Sequence, residues 1–161
     1  MNNGIFLLLG TNLGNRLKNL DTSKQLISKE IGAIERISSV YKTAPWGKTD
    51  QPDFYNQVIE IKSEYTPDIL LSKILQIENT MGRLRKEKWG PRVIDIDILF
   101  FNRIVLNKPG LTLPHPALHE RKFALMPMAE IDPEFNHPVF EKSISKLLFE
   151  CTDNLPVERL A

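Results

Sequence analysis

Arg92 to Phe101 reads RVIDIDILFF, an apolar and β-branched run interrupted by two carboxylates, Asp95 and Asp97, two positions apart. In a strand, residues i and i+2 point to the same face with Cα atoms roughly 6.5 Å apart. Val93, Asp95, Asp97 and Leu99 therefore share one face, and Ile94, Ile96, Ile98 and Phe100 the other. The second face reads as a core wall, and the first presents two carboxylates side by side. Like charges that close raise one another's pKa, and a divalent cation between them removes that cost. Mg²⁺ suits such a pair, because it takes one or two protein carboxylates, keeps several waters and completes its shell with substrate phosphate oxygens. Taken alone, the D-x-D pattern is equally that of two solvated aspartates on an exposed sheet face.

The flanking sequence favours chemistry. Immediately before the strand, GRLRKEKWGPR gathers Arg83, Arg85, Lys86, Lys88 and Arg92 around one acid, Glu87. In a chain with Lys+Arg 21 against Asp+Glu 20 and a formal charge of +1, this is a local anion site and not part of a global field. Arginine meets phosphate with a planar fork of donors, and a segment bounded by glycine and proline is suited to closing over a ligand. Cations for a polyphosphate beside carboxylates for its metal are the two halves of a phosphoryl-transfer site. No G-x-x-x-x-G-K-[ST] and no G-x-G-x-x-G occurs, so neither the P-loop nor the dinucleotide fingerprint is present. GTNLG, after the first apolar run, reads as a tight turn.

The elements that must position these groups are legible from periodicity. IFLLL (Ile5 to Leu9) is a continuous apolar run, as in a strand buried on both faces. Leu17, Leu20, Ile27 and Ile31 follow at helical spacing up to Gly32. Ala33 to Lys42 is expected to be a strand, and the proline-bounded Thr43 to Asp53 a long exposed loop. In the strand Phe54 to Lys62, Phe54, Asn56 and Val58 share one face and Tyr55, Gln57, Ile59 and Ile61 the other. Thr66-Pro67-Asp68 opens a helix that turns Leu70, Ile74, Ile77 and Met81 inward and stops near Gly82. Beyond the D-x-D strand, Asn102-Arg103 turns into Ile104 to Leu106, LTLPHP is extended, and helices cover His119 to Ile131 and Ser143 to Cys151. Strand, helix, strand, strand, helix, strand is the order of an α+β, ferredoxin-like βαββαβ core with an antiparallel sheet covered by helices. At 161 residues and 42% hydrophobic, residues 1–161 are expected to form one domain. Cys151 has no partner, and IFLLLG is too short to span a bilayer and lacks the basic flank of a signal peptide, so a soluble, cytoplasmic protein is expected.

Four segments, LGTNLGNR, YKTAPWGKTDQPDFYN, GRLRKEKWGPRVIDIDIL and LTLPHPALHERKFAL, together resemble the 6-hydroxymethyl-7,8-dihydropterin pyrophosphokinase family of folate biosynthesis over nearly the whole chain. That resemblance implies transfer of the pyrophosphoryl group of ATP to the pterin hydroxymethyl group, with release of AMP. It implies two Mg²⁺ ions on Asp95 and Asp97, and Arg83 and Arg92 on the transferring group. Glu78, Arg85, Trp89, Arg92, Ile98, Thr112, His115 and Arg121 fall at nucleotide-binding positions. For the pterin, the resemblance implies a sandwich between Phe54 and Phe123, with Asn56 and Thr43 reading its edge and Gly10, Ala44 and Trp46 adding contacts. Gly110 stands where some members carry a basic residue, and Pro116 where an aromatic residue can follow the histidine. His115 and His119 are four apart, but Pro114 and Pro116 argue against one helix carrying both.

Two other functions fit parts of the pattern. A ferredoxin-like module binding nucleic acid through the basic segment would show salt-sensitive affinity and no role for Asp95, but lacks basic charge and an RNP-like aromatic motif. A simple kinase or nucleotidyl transferase would keep the metal site and differ in its products. The partners expected are small molecules, with no nucleic acid, no membrane and a monomeric chain.

Overall fold

The structure is a computed structural model and describes residues 3–45, 50–82 and 93–160. All seven residues of the central strand β1 (Ile5–Thr11) are buried. Ile5, Leu7 and Leu9 enter one hydrophobic cluster, and Phe6 and Leu8 enter another. β1 lies between β4 (Phe54–Ile61) and β5 (Asp95–Phe101) and is antiparallel to both. The sheet continues through β3 (Tyr41–Thr43) to β8 (Val157–Arg159), while β2 (Ile34–Ile37) pairs with the other half of β4. With β2 and β3 taken as one interrupted strand, this is the ferredoxin-like order expected from the sequence.

Helices α1 (Arg16–Glu30) and α2 (Pro67–Thr80) cover one face, where Leu20, Ile27, Leu70, Ile74 and Ile77 meet the isoleucines of β4 and β5. Helices α3 (Lys122–Ile131) and α4 (Ile144–Glu150) cover the other. There Leu125, Met128 and Leu147 pack on an aromatic cluster in which Phe135 lies 4.6 Å from Phe100 and 5.2 Å from Phe6, ring to ring. Asn15 caps α1 by accepting the Lys18 N–H at 3.1 Å. The exit from α1 requires glycine for close approach, because a Cβ on Gly32 would stand 1.8 Å from the Lys62 carbonyl oxygen. No helix among the described residues is long and apolar enough to cross a membrane.

Several local features depart from the sequence expectation. The strand expected over Ala33 to Lys42 is split, because three residues, Ser38 to Val40, oppose two on β4. Ser38 bridges the split: its N–H donates to the Val58 carbonyl at 2.9 Å, and its hydroxyl accepts the Val58 N–H at 3.0 Å. In β5 a register shift opposite Phe6 and Leu7 places Phe100 in the α3/α4 cluster with Leu99, not with Ile96 and Ile98. Leu17 is 54% exposed and outside the core. The segment expected as one helix from His119 begins as a 3₁₀ turn, Leu118–Glu120, and restarts after Arg121 as α3. β6 (Leu106–Lys108) and β7 (Leu111–Leu113) form their own two-stranded hairpin. β8 had no counterpart in the sequence reading, since VER is too short and polar to give a strand signal.

Candidate active site

Directly opposed residues of an antiparallel pair share a face. Gly10 of β1 is opposite both Asp95 and Asn56, and Asn56 is opposite Tyr41. One step along, Leu8 is opposite Asp97 and Val58, while Thr43 is opposite Phe54. Asp95, Asp97, Gly10, Asn56, Phe54 and Thr43 therefore lie together on the face that carries the aromatic core. Both aspartates are half-buried. Asn56 and Thr43 are each 3% exposed, and the Asn56 amide donates to the Thr43 hydroxyl at 2.8 Å, which fixes how the amide is presented. A Cβ on Gly10 would come 3.0 Å from Asn56 Oδ1 and 3.9 Å from the Phe54 ring, so the missing side chain leaves both groups their space. Phe54 is half-buried, as are Ala44, next to Thr43, and Phe123, in the first turn of α3. The Arg121 guanidinium stands 5.8 Å from the Phe123 ring centroid.

The outer edge of β5 brings together residues distant in sequence. Glu78, 3% exposed in the last turn of α2, accepts the Ile96 N–H at 2.8 Å. Further along, the Leu99 carbonyl accepts the His115 N–H at 3.0 Å. Ile98 has its side chain in the α1/α2 core, and in an antiparallel ladder its backbone groups point the same way as those of Ile96, away from β1. His115 Nδ1 accepts the Ala117 N–H at 3.1 Å, so in the neutral ring the proton is on Nε2. Burial, and second the nearby Arg121, push this imidazole down to about 4. The chain's three histidines all line one cleft of about 190 Å³, whose walls also include Asn107, Thr112 and Phe140. His119, expected simply to be exposed, sits edge-on to Phe140 at 4.7 Å.

Other side chains hold the site's surroundings in place, and the sequence gave only faint signals of them. Asn12 donates to Gln51 Oε1 at 2.8 Å and to the Pro52 carbonyl at 3.0 Å. Arg16 donates to the Asp53 carbonyl at 2.8 Å and lies 4.0 Å above the Tyr55 ring. The turn and helix start in TNLGNR thus grip the far end of the Thr43 to Asp53 segment. Tyr41 donates its hydroxyl to Glu130 at 2.7 Å, and the same carboxylate accepts the Ser39 N–H, which ties α3 to the sheet. Burial first, then this hydrogen bond, push Tyr41 up to about 12.

Trp46, Arg83, Arg85, Trp89 and Arg92 lie outside the described residues, with Lys86, Glu87 and Lys88. Among the described residues no group of three or more His, Cys, Asp or Glu could enclose a metal. Two half-buried carboxylates on one strand form an open donor set, which matches an ion that keeps water and takes ligand phosphate oxygens.

The pattern of the 7,8-dihydro-6-hydroxymethylpterin-pyrophosphokinase (HPPK) family matches residues 6–133. The chain belongs to this family. As a member it is a pyrophosphokinase of folate biosynthesis, and the nucleic-acid-binding alternative gains no support. The 2-amino-4-hydroxy-6-hydroxymethyldihydropteridine pyrophosphokinase of Bacillus subtilis (strain 168) is 42% identical over 132 residues, 81% of this chain and 79% of that protein. That of Aquifex aeolicus (strain VF5) is 38% identical over 148 residues, 92% of each. Folic acid synthesis protein FOL1 of Dictyostelium discoideum is 36% identical over 91% of this chain, which spans 22% of that longer protein. Among solved structures, Plasmodium falciparum HPPK-DHPS with pteroate superposes with a TM-score of 0.73 at 21% identity. That match covers 92% of this chain and 43% of the Plasmodium chain, and it speaks for the fold alone.

Proposed function

We propose that the polar end of the α3/α4 face is where this HPPK-family chain transfers the pyrophosphoryl group of ATP to 6-hydroxymethyl-7,8-dihydropterin. A bond forms between the pterin hydroxyl oxygen and the β-phosphorus as the bond from that phosphorus to the α-phosphate oxygen breaks, and AMP leaves. The observation that carries the reading is the cross-strand row Asp95, Gly10, Asn56. It sets carboxylates suited to a phosphate-bound cation one strand away from a buried, oriented amide suited to a flat heterocycle's edge.

Asp95 and Asp97 would hold Mg²⁺, two ions by the family resemblance. When bound, the metal neutralises phosphate charge and lowers the pKa of the attacking hydroxyl. The chain's own groups bind and orient. Phe54 and Phe123 would stack on the two faces of the pterin, and Asn56, held by Thr43, would read its edge with the Asn56 carbonyl oxygen free of the Thr43 bond. Gly10 leaves the space this requires, and Ala44 and Trp46 would close the slot. His115, neutral and with its proton on Nε2, would donate to a phosphate oxygen without titrating near neutral pH. Arg121 and Thr112 would join it on the nucleotide, with Glu78 and the Ile98 backbone along the edge of β5. Arg83 and Arg92 would stabilise the transferring group, and Arg85 and Trp89 would act in nucleotide binding.

The test is to incubate the protein with ATP, Mg²⁺ and 6-hydroxymethyl-7,8-dihydropterin and separate the nucleotides. AMP formed in step with a pterin diphosphate is the expected result. ADP in place of AMP, or no nucleotide turnover, would overturn the reading.

A further inference from the structure

We infer that Glu78 is a positioning residue for the Asp95/Asp97 pair, holding the stretch of β5 between the two carboxylates through the Ile96 N–H. The inference rests on reading that pair as the Mg²⁺ site. β5 is the last strand of its sheet, paired with β1 on one side only. The N–H of Ile96, the residue between the two aspartates, points away from β1 and meets Glu78 at 2.8 Å. Glu78 is one turn beyond Ile74 on the inward stripe of α2, 3% exposed and beside otherwise aliphatic residues. Burying a carboxylate in such surroundings costs several kcal/mol unless it is well bonded, whereas an edge N–H facing water is satisfied without help. A buried acid is therefore a costly way to satisfy one amide, unless the position of that amide matters. Here it does: two like charges on adjacent same-face positions repel, and a ligand pair must keep its geometry to within about 0.5 Å to function. A charge-assisted hydrogen bond from the rigid helix to the backbone between the aspartates resists that splaying. The arrangement is an outer-shell support acting through the main chain, comparable to the outer-shell partners that orient metal ligands elsewhere.

The experiment uses the full chain with Mn²⁺ as the probe metal and a non-hydrolysable ATP analogue. Mn²⁺ affinity is read by the electron paramagnetic resonance of free Mn²⁺, and the Ile96 amide by hydrogen exchange in NMR. Glu78→Met keeps volume and helix propensity but removes the acceptor, and is expected to weaken Mn²⁺ binding about tenfold and speed Ile96 exchange. Glu78→Gln can accept the same N–H and is expected to keep both properties within about threefold of wild type. Wild-type Mn²⁺ affinity in Glu78→Met would overturn the inference and leave the metal site standing. Loss of affinity in Glu78→Gln with Ile96 still protected would overturn it in favour of a direct role for the charge. Should Glu78→Met fail to fold, the Glu78→Gln result decides. If wild type bound Mn²⁺ no better than Asp97→Ala, the metal reading itself would fall and take the inference with it.

Discussion

The two faces of the sheet are built from the same strands and do different work. On the α1/α2 face, β1, β4 and β5 contribute Leu7, Leu9, Ile59, Ile61, Ile96 and Ile98, an aliphatic wall that runs through the sheet without a polar break. On the α3/α4 face the wall is aromatic and aliphatic only over part of its length, through Phe6, Leu8, Val58, Leu99 and Phe100. It then changes within one residue pair per strand: Leu8 gives way to Gly10, Val58 to Asn56, and Leu99 to Asp97 and Asp95. The continuous face fixes the register of strands whose other face carries charges and a glycine, because a slip by one residue would bury Asp95 and Asp97 in the isoleucine wall. A reactive surface of polar groups is thus held by the packing behind it.

The largest expected effect is on the polar end. Asp95→Asn should leave the fold intact and lower Mg²⁺-dependent turnover by on the order of 10²-fold or more, since several kcal/mol of charge stabilisation depend on the metal ligands. Unchanged turnover at saturating Mg²⁺ would remove Asp95 from the reaction. The opposite face should respond in the opposite sense. Ile74→Ala, on the fully buried α2 stripe, should cost about 2–5 kcal/mol in denaturant unfolding and leave the KM values of the folded fraction unaltered. A changed pterin KM there would break the division between the faces.

Asn56→Ala should sharpen the contrast within the polar end. Removing a buried amide bonded to Thr43 is expected to cost about 1–3 kcal/mol, appearing mainly as a raised KM for the pterin with the nucleotide KM little changed. Equal increases in both would mean that the amide serves the site as a whole. The smallest effect concerns His137, whose Nδ1 accepts the Val139 and Phe140 N–H groups at 3.2 and 3.1 Å. Burial, then the neighbouring His119, push it down from 6.5 to about 4. Because the unfolded ring protonates first, the stability it confers is whole above pH 6.5 and is lost as pH falls through about 4. The urea midpoint of wild type should therefore exceed that of His137→Gln most at neutral pH and converge on it toward pH 4. A gap that widens on acidification would contradict the neutral ring.

The sequence displayed what periodicity and spacing encode. Period-two alternation in β4 and β5 placed Phe54 with Asn56 and Asp95 with Asp97, and the apolar run of β1 marked a strand covered on both faces. What it hid were effects of one residue against a distant partner. The extra residue at Ser38 to Val40 and the shift near Phe100 leave the composition of their strands unchanged, yet they alter which face the residues beyond them occupy. The grips of Asn12 on Pro52 and of Tyr41 on Glu130 join segments far apart in the chain, and no local pattern announces them. Glu78 was assigned to the nucleotide by resemblance, whereas its bond to Ile96 became visible only with α2 laid along β5.

The most direct test is a single-turnover comparison of one substitution on each face. ATP, Mg²⁺ and 6-hydroxymethyl-7,8-dihydropterin are mixed with excess enzyme, and AMP formation is followed in Asp97→Ala and Ile74→Ala, each normalised to its folded fraction. The expected result is a loss on the order of 10³-fold for Asp97→Ala and the wild-type rate for Ile74→Ala. AMP formation at the wild-type rate by folded Asp97→Ala would show that the chemistry takes place elsewhere.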